Sequence, residues 1–454
     1  MKKTLTLLAL TAISYIGYTQ NAEACTENIS LLATSVKAKD GAAYDYLTTL
    51  RKDCPSFHKG IYNYGEFAIK QRIDTAKDNA EKEKYVADLL KLYEEFFKYF
   101  PNDGAGVDMK KGLALFSYAP EKKVEIYNYF DNAFKSDNAN FSSTRGLYAY
   151  FEIFVNDYKA GTKGITLQQV FDKYDDISEK LAELEKVDSE AKDILIAKEE
   201  AGAQLDSKEA KRKAKLEENL ENITIVTSSM DAIIIELSSC DKLIPFYQKG
   251  FEENKNNEVW LKRAADRLES KECDTDPLFS KISEALYKLN PSADAAYKLG
   301  VVEMQKKNTT KAMSYFEQAA NLYTDNTKKA TVYMKIASTY MNSNKSQARA
   351  YARKALQVKP SYGRAYLLIA QLYGNSINDC GKTPFDKRAM YWLAAQYADK
   401  AAVADSSLKE AANKMAASYR AAAPSRTDIF NEGMSGKRIA FDCWVGESVV
   451  VPTL

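Results

Sequence analysis

The chain has 454 residues, with 64 Lys plus Arg against 62 Asp plus Glu and a formal net charge of +2. A balance this close gives no electrostatic footprint for nucleic acid or for an anionic membrane surface. A single histidine and the lack of any C-x-x-C leave no clustered ligand set for zinc, and beyond the N-terminus no apolar run reaches the roughly 18 residues of a membrane span.

Residues 1–24 read as a secretory signal. Lys2 and Lys3 supply the positive region, Leu5 to Ile16 the apolar core, and Gly17, Thr19, Ala22 and Ala24 the small residues of a processing site. Cleavage after Thr19 and cleavage after Ala24 both satisfy the pattern. The second would leave Cys25 first in the mature chain, with either a lipid or a disulfide as its fate. Ala22-Glu23-Ala24 fits lipid attachment poorly, because a glutamate stands among the small residues.

Residues 25–165 carry a recurring helical spacing. Ala43, Leu47, Leu50 and Pro55 are separated by four, three and five residues, and Leu89, Tyr93, Phe96 and Pro101 repeat those intervals. Tyr64-Gly65 marks a helix between them. The aromatic residues that follow, including Tyr127, Phe130, Tyr150, Phe151 and Phe154, suit gaps between helices; the alternative is an aromatic groove for peptides.

Residues 166–239 change character. Ile177, Leu181, Leu184, Ala191 and Leu195 keep a four-three rhythm, as do Leu216, Leu220, Ile223, Met230, Ile234 and Leu237. Ala201-Gly202-Ala203 followed by Asp206, Ser207 and Glu209 is a helix stop and restart. Two long helices packed antiparallel as a coiled-coil arm follow from this. The arm is expected to pack mainly on itself, with its charge runs at Lys208–Lys215 and Glu217–Glu221 in solvent or on a partner.

Residues 240–292 return to hairpins, with Trp260, Leu261, Ala264, Ala265 and Leu268 on one helix and Leu278, Ile282, Leu286 and Leu289 on the next. Residues 293–424 then repeat one pattern nearly three times. Leu299-Gly300 precedes Ala312, Phe316 and Ala319. Tyr333, Ile336-Ala337 and Tyr340 precede Ala348, Ala352, Ala355 and Pro360. Tyr366, Ile369-Ala370 and Tyr373 open a third copy, interrupted by an insertion at 374–386 and resumed by Ala394, Ala398 and Ala401. This pattern resembles the tetratricopeptide repeat (TPR), a helix-turn-helix unit of about 34 residues. Small residues sit where two helices approach and large ones fill the spaces between hairpins. From 425 to 454 the rhythm becomes alternating: Ile439, Phe441, Cys443 and Val445, then Val449 to Val451, with Gly446 near a turn, as in a β-hairpin. The fold expected is all-α, a TPR-like solenoid of helical hairpins with a long arm and a short C-terminal β-hairpin.

Six cysteines in an exported chain allow 15 disulfide pairings. Cys25 and Cys54 lie at the open end of one hairpin, where the first helix starts and the second stops, and Cys240 and Cys273 do the same in another. Cys380 and Cys443 pair by elimination.

A repeat array presents a surface rather than enclosing a catalytic pocket. Carboxylate-clamp TPRs hold C-terminal acidic peptides with Lys, Asn and Arg at set places; here those places are Tyr297, Val301, Lys335, Arg364 and Leu368, and only Arg364 keeps the expected charge. Tyr297, Val301, Met304, Met334 and Met341 instead suggest an apolar, adaptable groove, with Arg364 at its end. Enzyme motifs fail on inspection. Gly381-Lys382-Thr383 lacks the glycine a phosphate loop needs at position 376, which is Ser376, and His58 is the one histidine available as a base. No cofactor is expected.

The mature chain as a whole resembles a family of secreted, periplasmic TPR proteins common in the Bacteroidota. The resemblance is carried by Cys25 with Cys54-Pro55, the central arm, Cys240-Asp241-Lys242-Leu243-Ile244-Pro245, Trp260 to Ala265, Asp379-Cys380-Gly381 and Cys443-Trp444-Val445-Gly446-Glu447. It implies an envelope location, in the periplasm or at the periphery of the outer membrane, and a part in protein assembly. The function expected is a non-enzymatic scaffold whose partner is another envelope protein or peptide segment; the alternative is a peptidoglycan- or glycan-associated binding protein.

Overall fold

The computed structural model describes residues 22–454. The signal assigned to 1–24 falls, through residue 21, outside the described residues. Two compact units divide between Ile177 and Ser178.

The first unit is a series of helices packed on their sequence neighbours: α1 (22–38), α2 (Ala43–Asp53), α3 (Gly60–Asp74), α4 (Asn79–Tyr99), α5 (Val107–Tyr118), α6 (Lys123–Ser136), α7 (Thr144–Ala160) and the start of α8 (Leu167–Glu200). Their apolar spacing dictates their packing. Leu47, Leu50 and Leu89, read as one-face positions, are buried, and so is Phe130, read as a gap filler. Gly112 lets α5 lie against α6, because a Cβ there would stand 2.6 Å from the Phe130 ring. Phe130, Tyr150 and Phe151 are fully buried, and Tyr62 stacks on Phe96 at 5.1 Å. These rings fill the space between helices rather than line a groove. Tyr127 and Phe154, stacked at 6.1 Å, both lie under the Lys173 ammonium, which also sits 4.1 Å from the Tyr150 ring.

The second unit begins with the rest of α8 and continues through α9 (Ser207–Ile234). These two helices run antiparallel: Asn219 Nδ2 donates to Asp188 at 2.9 Å, and Lys213 pairs with Glu199 at 2.6 Å. Gly202, at φ +85°, turns the chain, and Asp206 restarts it with a capping box to Glu209. Next come α10 (Cys240–Asn254), α11 (Glu258–Ser270), α12 (Pro277–Leu289), α13 (Ala293–Gln305), α14 (Thr309–Leu322), α15 (Asn326–Tyr340), α16 (Lys345–Val358), α17 (Gly363–Gly374), α18 (Pro384–Ala404) and α19 (Lys409–Ala422). The closest partnerships are α13 with α14, α15 with α16, α17 with α18, and α18 with α19, each pair consecutive in the chain. Ala337, Ala348, Ala352 and Ala355 are fully buried where α15 and α16 touch. In the preceding hairpin the close approach comes from Gly300: a Cβ there would meet the Phe316 ring at 2.5 Å. The fold is thus an all-α array of TPR-like hairpins.

The third hairpin is interrupted over 375–383. Its second helix resumes at Pro384, capped by Thr383, two residues before the end assigned to the insertion. After the short α20 (Arg426–Asn431), β1 (Arg438–Phe441) and β2 (Glu447–Val450) pair antiparallel, Ile439 opposite Val449. Ile439, Phe441, Val445, Val449 and Val451 join the core formed by α15 to α18. An isolated two-stranded hairpin is marginal in water; this one closes the end of the array and is held by its packing.

The three disulfides are Cys25–Cys54, Cys240–Cys273 and Cys380–Cys443. The first two staple the open ends of α1/α2 and α10/α11, and the third ties the β-hairpin to the 375–383 loop.

Candidate partner-binding surface

The most telling feature of the second unit is what lies across its repeats. Glu179 of α8 meets the Arg263 guanidinium on α11 through two contacts of 3.1 Å. Lys186 reaches Asp325, the N-cap of α15, at 3.8 Å. The Asp193 carboxylate accepts the backbone N–H of Ser361, just before α17, at 2.8 Å. Glu200 accepts from the Tyr366 hydroxyl on α17. These four residues are spaced by seven. Seven residues of α-helix advance about 10.5 Å and return to nearly the same face. One stripe of α8 therefore tracks along the repeats in chain order. The arm does not project free with its contacts mainly internal; it is seated on the array. The sequence rhythm identified its apolar side, of which Leu181 and Leu195 are buried, but polar contacts to residues 84 to 168 positions away leave no periodic signal.

The seat is unusually polar. Lys192 is 2 % exposed and donates to the carbonyl of Ala404 at the end of α18 at 2.8 Å; its nearest carboxylate, Glu217, is 3.7 Å away. Burial pushes the Lys192 ammonium below its ordinary range and pushes the Asp193 carboxyl above its own. Lys359, 6 % exposed, donates to the Thr327 hydroxyl at 2.7 Å. Ser189, Thr331, Tyr362 and Arg364 complete a cleft of about 310 Å³ along one side of the seat.

The residues proposed as a partner groove fall in different places. Val301 is 2 % exposed and packs in the core, so it presents nothing to a partner. Tyr297 is tied by its hydroxyl to Glu269 at 3.1 Å and lines a smaller cleft of about 210 Å³ with Asp294, Lys298 and Tyr323. Met334 and Met341 are half-buried against the repeat core, and Met304 is half-buried at the end of α13. Arg364 is exposed at the rim of the larger cleft. No single groove collects all six.

A different carboxylate cluster lies at the end of the array. Glu447 of β2 receives the hydroxyls of Tyr373 and Tyr397, the latter at 3.0 Å, and pairs with Arg353. Arg349 donates to the carbonyls of Trp444 and Val445. The chain's own tail is the occupant. His58 Nδ1 accepts the Gly60 N–H at 3.0 Å at the start of α3, and Ser376, where a phosphate loop would need glycine, is buried with its hydroxyl on the Leu372 carbonyl.

No single helix among the described residues is long and apolar enough to cross a membrane. No family model matches the sequence, and no curated protein matches it. Solved structures similar to the chain include an IFIT1 monomeric mutant with Gppp-AAAA, at 10 % identity, covering 87 % of this chain and 89 % of that one with a TM-score of 0.31. Yeast Tom70 is another, at 10 % identity, 87 % and 96 % coverage and a TM-score of 0.26. Superpositions this loose carry nothing about ligand or partner.

Proposed function

We propose that this chain is a non-enzymatic, exported scaffold whose repeats bind a segment of another protein. The supporting observation is the seating of α8: the array already holds a helix lengthwise through polar contacts at Arg263, Asp325, Ser361 and Tyr366. A surface that orders one helix by side-chain and backbone groups is of the kind that recognises segments in trans. The three disulfides point to an oxidising compartment. Together with the N-terminal signal pattern they favour the periplasm or the periphery of the outer membrane, as in the secreted repeat proteins of the Bacteroidota that the sequence resembles. Assembly or secretion of envelope proteins is the role that fits.

A second reading, binding of peptidoglycan or another glycan, is favoured by the cleft beside α8, whose lining is rich in hydroxyls (Ser189, Thr331, Tyr362, Ser407) and mixed in charge. In-cell crosslinking followed by mass spectrometry separates the two. A reproducible envelope protein crosslinked through the repeats or the arm supports the scaffold. Retention on purified sacculi with no protein captured overturns it in favour of the glycan reading.

A further inference from the structure

The six cysteines are spent on the α1/α2 hairpin, the α10/α11 hairpin and the C-terminal tail. No disulfide fastens residues 178–234. The segment lying across the repeats is held there without a covalent staple. Its seat is also polar where a permanent interface would be apolar. Lys192 is buried and Asp193 half-buried, yet Lys192 has its nearest carboxylate at 3.7 Å and Asp193 is held by the hydroxyl and backbone N–H of Ser361 rather than by a close ion pair. Desolvated charges in such imperfect pairs return little net stability. The outer side of α8 exposes Val187 and Ile194, again seven apart, so the helix keeps an open face although the repeats and α9 both contact it.

We propose that the α8 seat is an exchangeable helix-binding surface, and that the partner it fits is a helix with acidic side chains at the places of Asp193 and Glu200, seven residues apart, and a cation at that of Lys186. The inference rests on the scaffold reading and names the partner's chemistry. The incoming helix must reproduce three contacts: a carboxylate on the Ser361 N–H, a carboxylate on the Tyr366 hydroxyl, and a cation on Asp325. Its buried face must be narrow, because Leu181, Leu195 and Ile196 are the apolar residues α8 buries over this stretch. The chain's own helix holds the seat until such a helix competes for it.

The test uses the full chain and a fluorescent peptide of residues 176–203. Wild type should bind the peptide weakly, since its seat is occupied. The double variant Asp193→Ala with Glu200→Ala, which deletes both acceptors and so loosens the resident helix, should bind it at least about tenfold more tightly, because apparent affinity scales with the fraction of open seat. A peptide with Asp193→Ala and Glu200→Ala should lose about tenfold of that affinity. Hydrogen exchange across α8 guards against a variant that fails to open; if its amides remain as protected as in wild type, the stronger pair Asp193→Lys with Glu200→Lys is used. A seat that opens by exchange and still ignores the peptide overturns the proposal, as does an α8 that exchanges only with global unfolding in both variants. A cellular partner crosslinked elsewhere on the repeats would sink this inference and leave the scaffold reading standing. Peptide binding with no protein captured in cells would do the reverse.

Discussion

Asp193 accepts the backbone N–H of Ser361 at 2.8 Å across 168 residues of sequence. The bond supplies an acceptor to a backbone donor that has none within its own turn, and it fixes α8 at the entrance to α17. Asp193→Ala removes the acceptor and leaves that donor unpaired beside a buried Lys359. The expected cost is about 1–3 kcal/mol, read as a lower urea midpoint for the second unit. Exchange should quicken first over 186–200 and around Ser361; protection lost first in α10–α12 would count against the assignment.

Asp193 and Asp294 should give opposite pH dependence. Burial alone would raise Asp294, yet the Tyr323 hydroxyl and the Lys328 and Lys262 ammoniums hold its carboxyl below the usual range. A depressed folded value means stability that is present above the unfolded value of about 3.9 and lost as pH falls through the folded one. Asp294→Asn should therefore cost about 1.5–3 kcal/mol at neutral pH, with the deficit shrinking in strong acid. Burial raises Asp193 instead, so its ionisation weighs against the fold at neutral pH, and that penalty is relieved as pH falls through the raised folded value. Asp193→Asn should remove this relief. Denaturant titrations from neutral pH downward measure both; parallel profiles for the two variants would refute the contrast.

What the sequence revealed followed physical range. Helical spacing, caps and breakers act over a few residues, so the repeats, the restart at Asp206 and the alternation of Ile439 and Phe441 were legible. Cysteine pairing was legible because each of the two hairpin disulfides joins ends that adjacent helices bring together. The seat of α8 was not. Glu179, Lys186, Asp193 and Glu200 look like solvated helix charges until their partners, 84 to 168 residues away, are in place. Val301 misled for the converse reason: a position that faces a ligand in one class of repeat is packed inside here. The Glu447 cluster was missed because Arg349, Arg353, Tyr373 and Tyr397 lie on three helices with no shared motif.

Gly300 tests the close approach in the first clear repeat. Alanine is the better helix former by about 1 kcal/mol, so an open site would gain stability from Gly300→Ala. Here the new Cβ would stand 2.5 Å from the ring of the fully buried Phe316, and the ring has nowhere to go. A net loss of about 1–2 kcal/mol is expected from overpacking. Phe316→Leu in the same chain should return part of it, giving a coupling energy in a double-mutant cycle. Additive effects, or a stabilised Gly300→Ala, would show that the hairpin has slack.

The tail offers the largest single effect. Cys380–Cys443 closes a loop of 63 residues, against 29 for Cys25–Cys54. In the chain-entropy account these correspond to about 4 and about 3.5 kcal/mol, but the consequences should differ in kind. Cys25–Cys54 staples one hairpin. Cys443 anchors a β-hairpin that covers the apolar end of α15 to α18 and delivers Glu447 to Arg353, Tyr373 and Tyr397. Paired Cys380→Ser and Cys443→Ser substitutions should lower stability by a few kcal/mol and increase exchange in β1, β2 and the exposed face of α18 together. Adding Glu447→Ala to that variant should release the hairpin altogether, with dye binding to the uncovered end and a tendency to self-associate. A triple variant that stays monomeric, with β1 and β2 still protected, would mean that apolar packing of Ile439, Phe441, Val449 and Val451 holds the tail without either anchor.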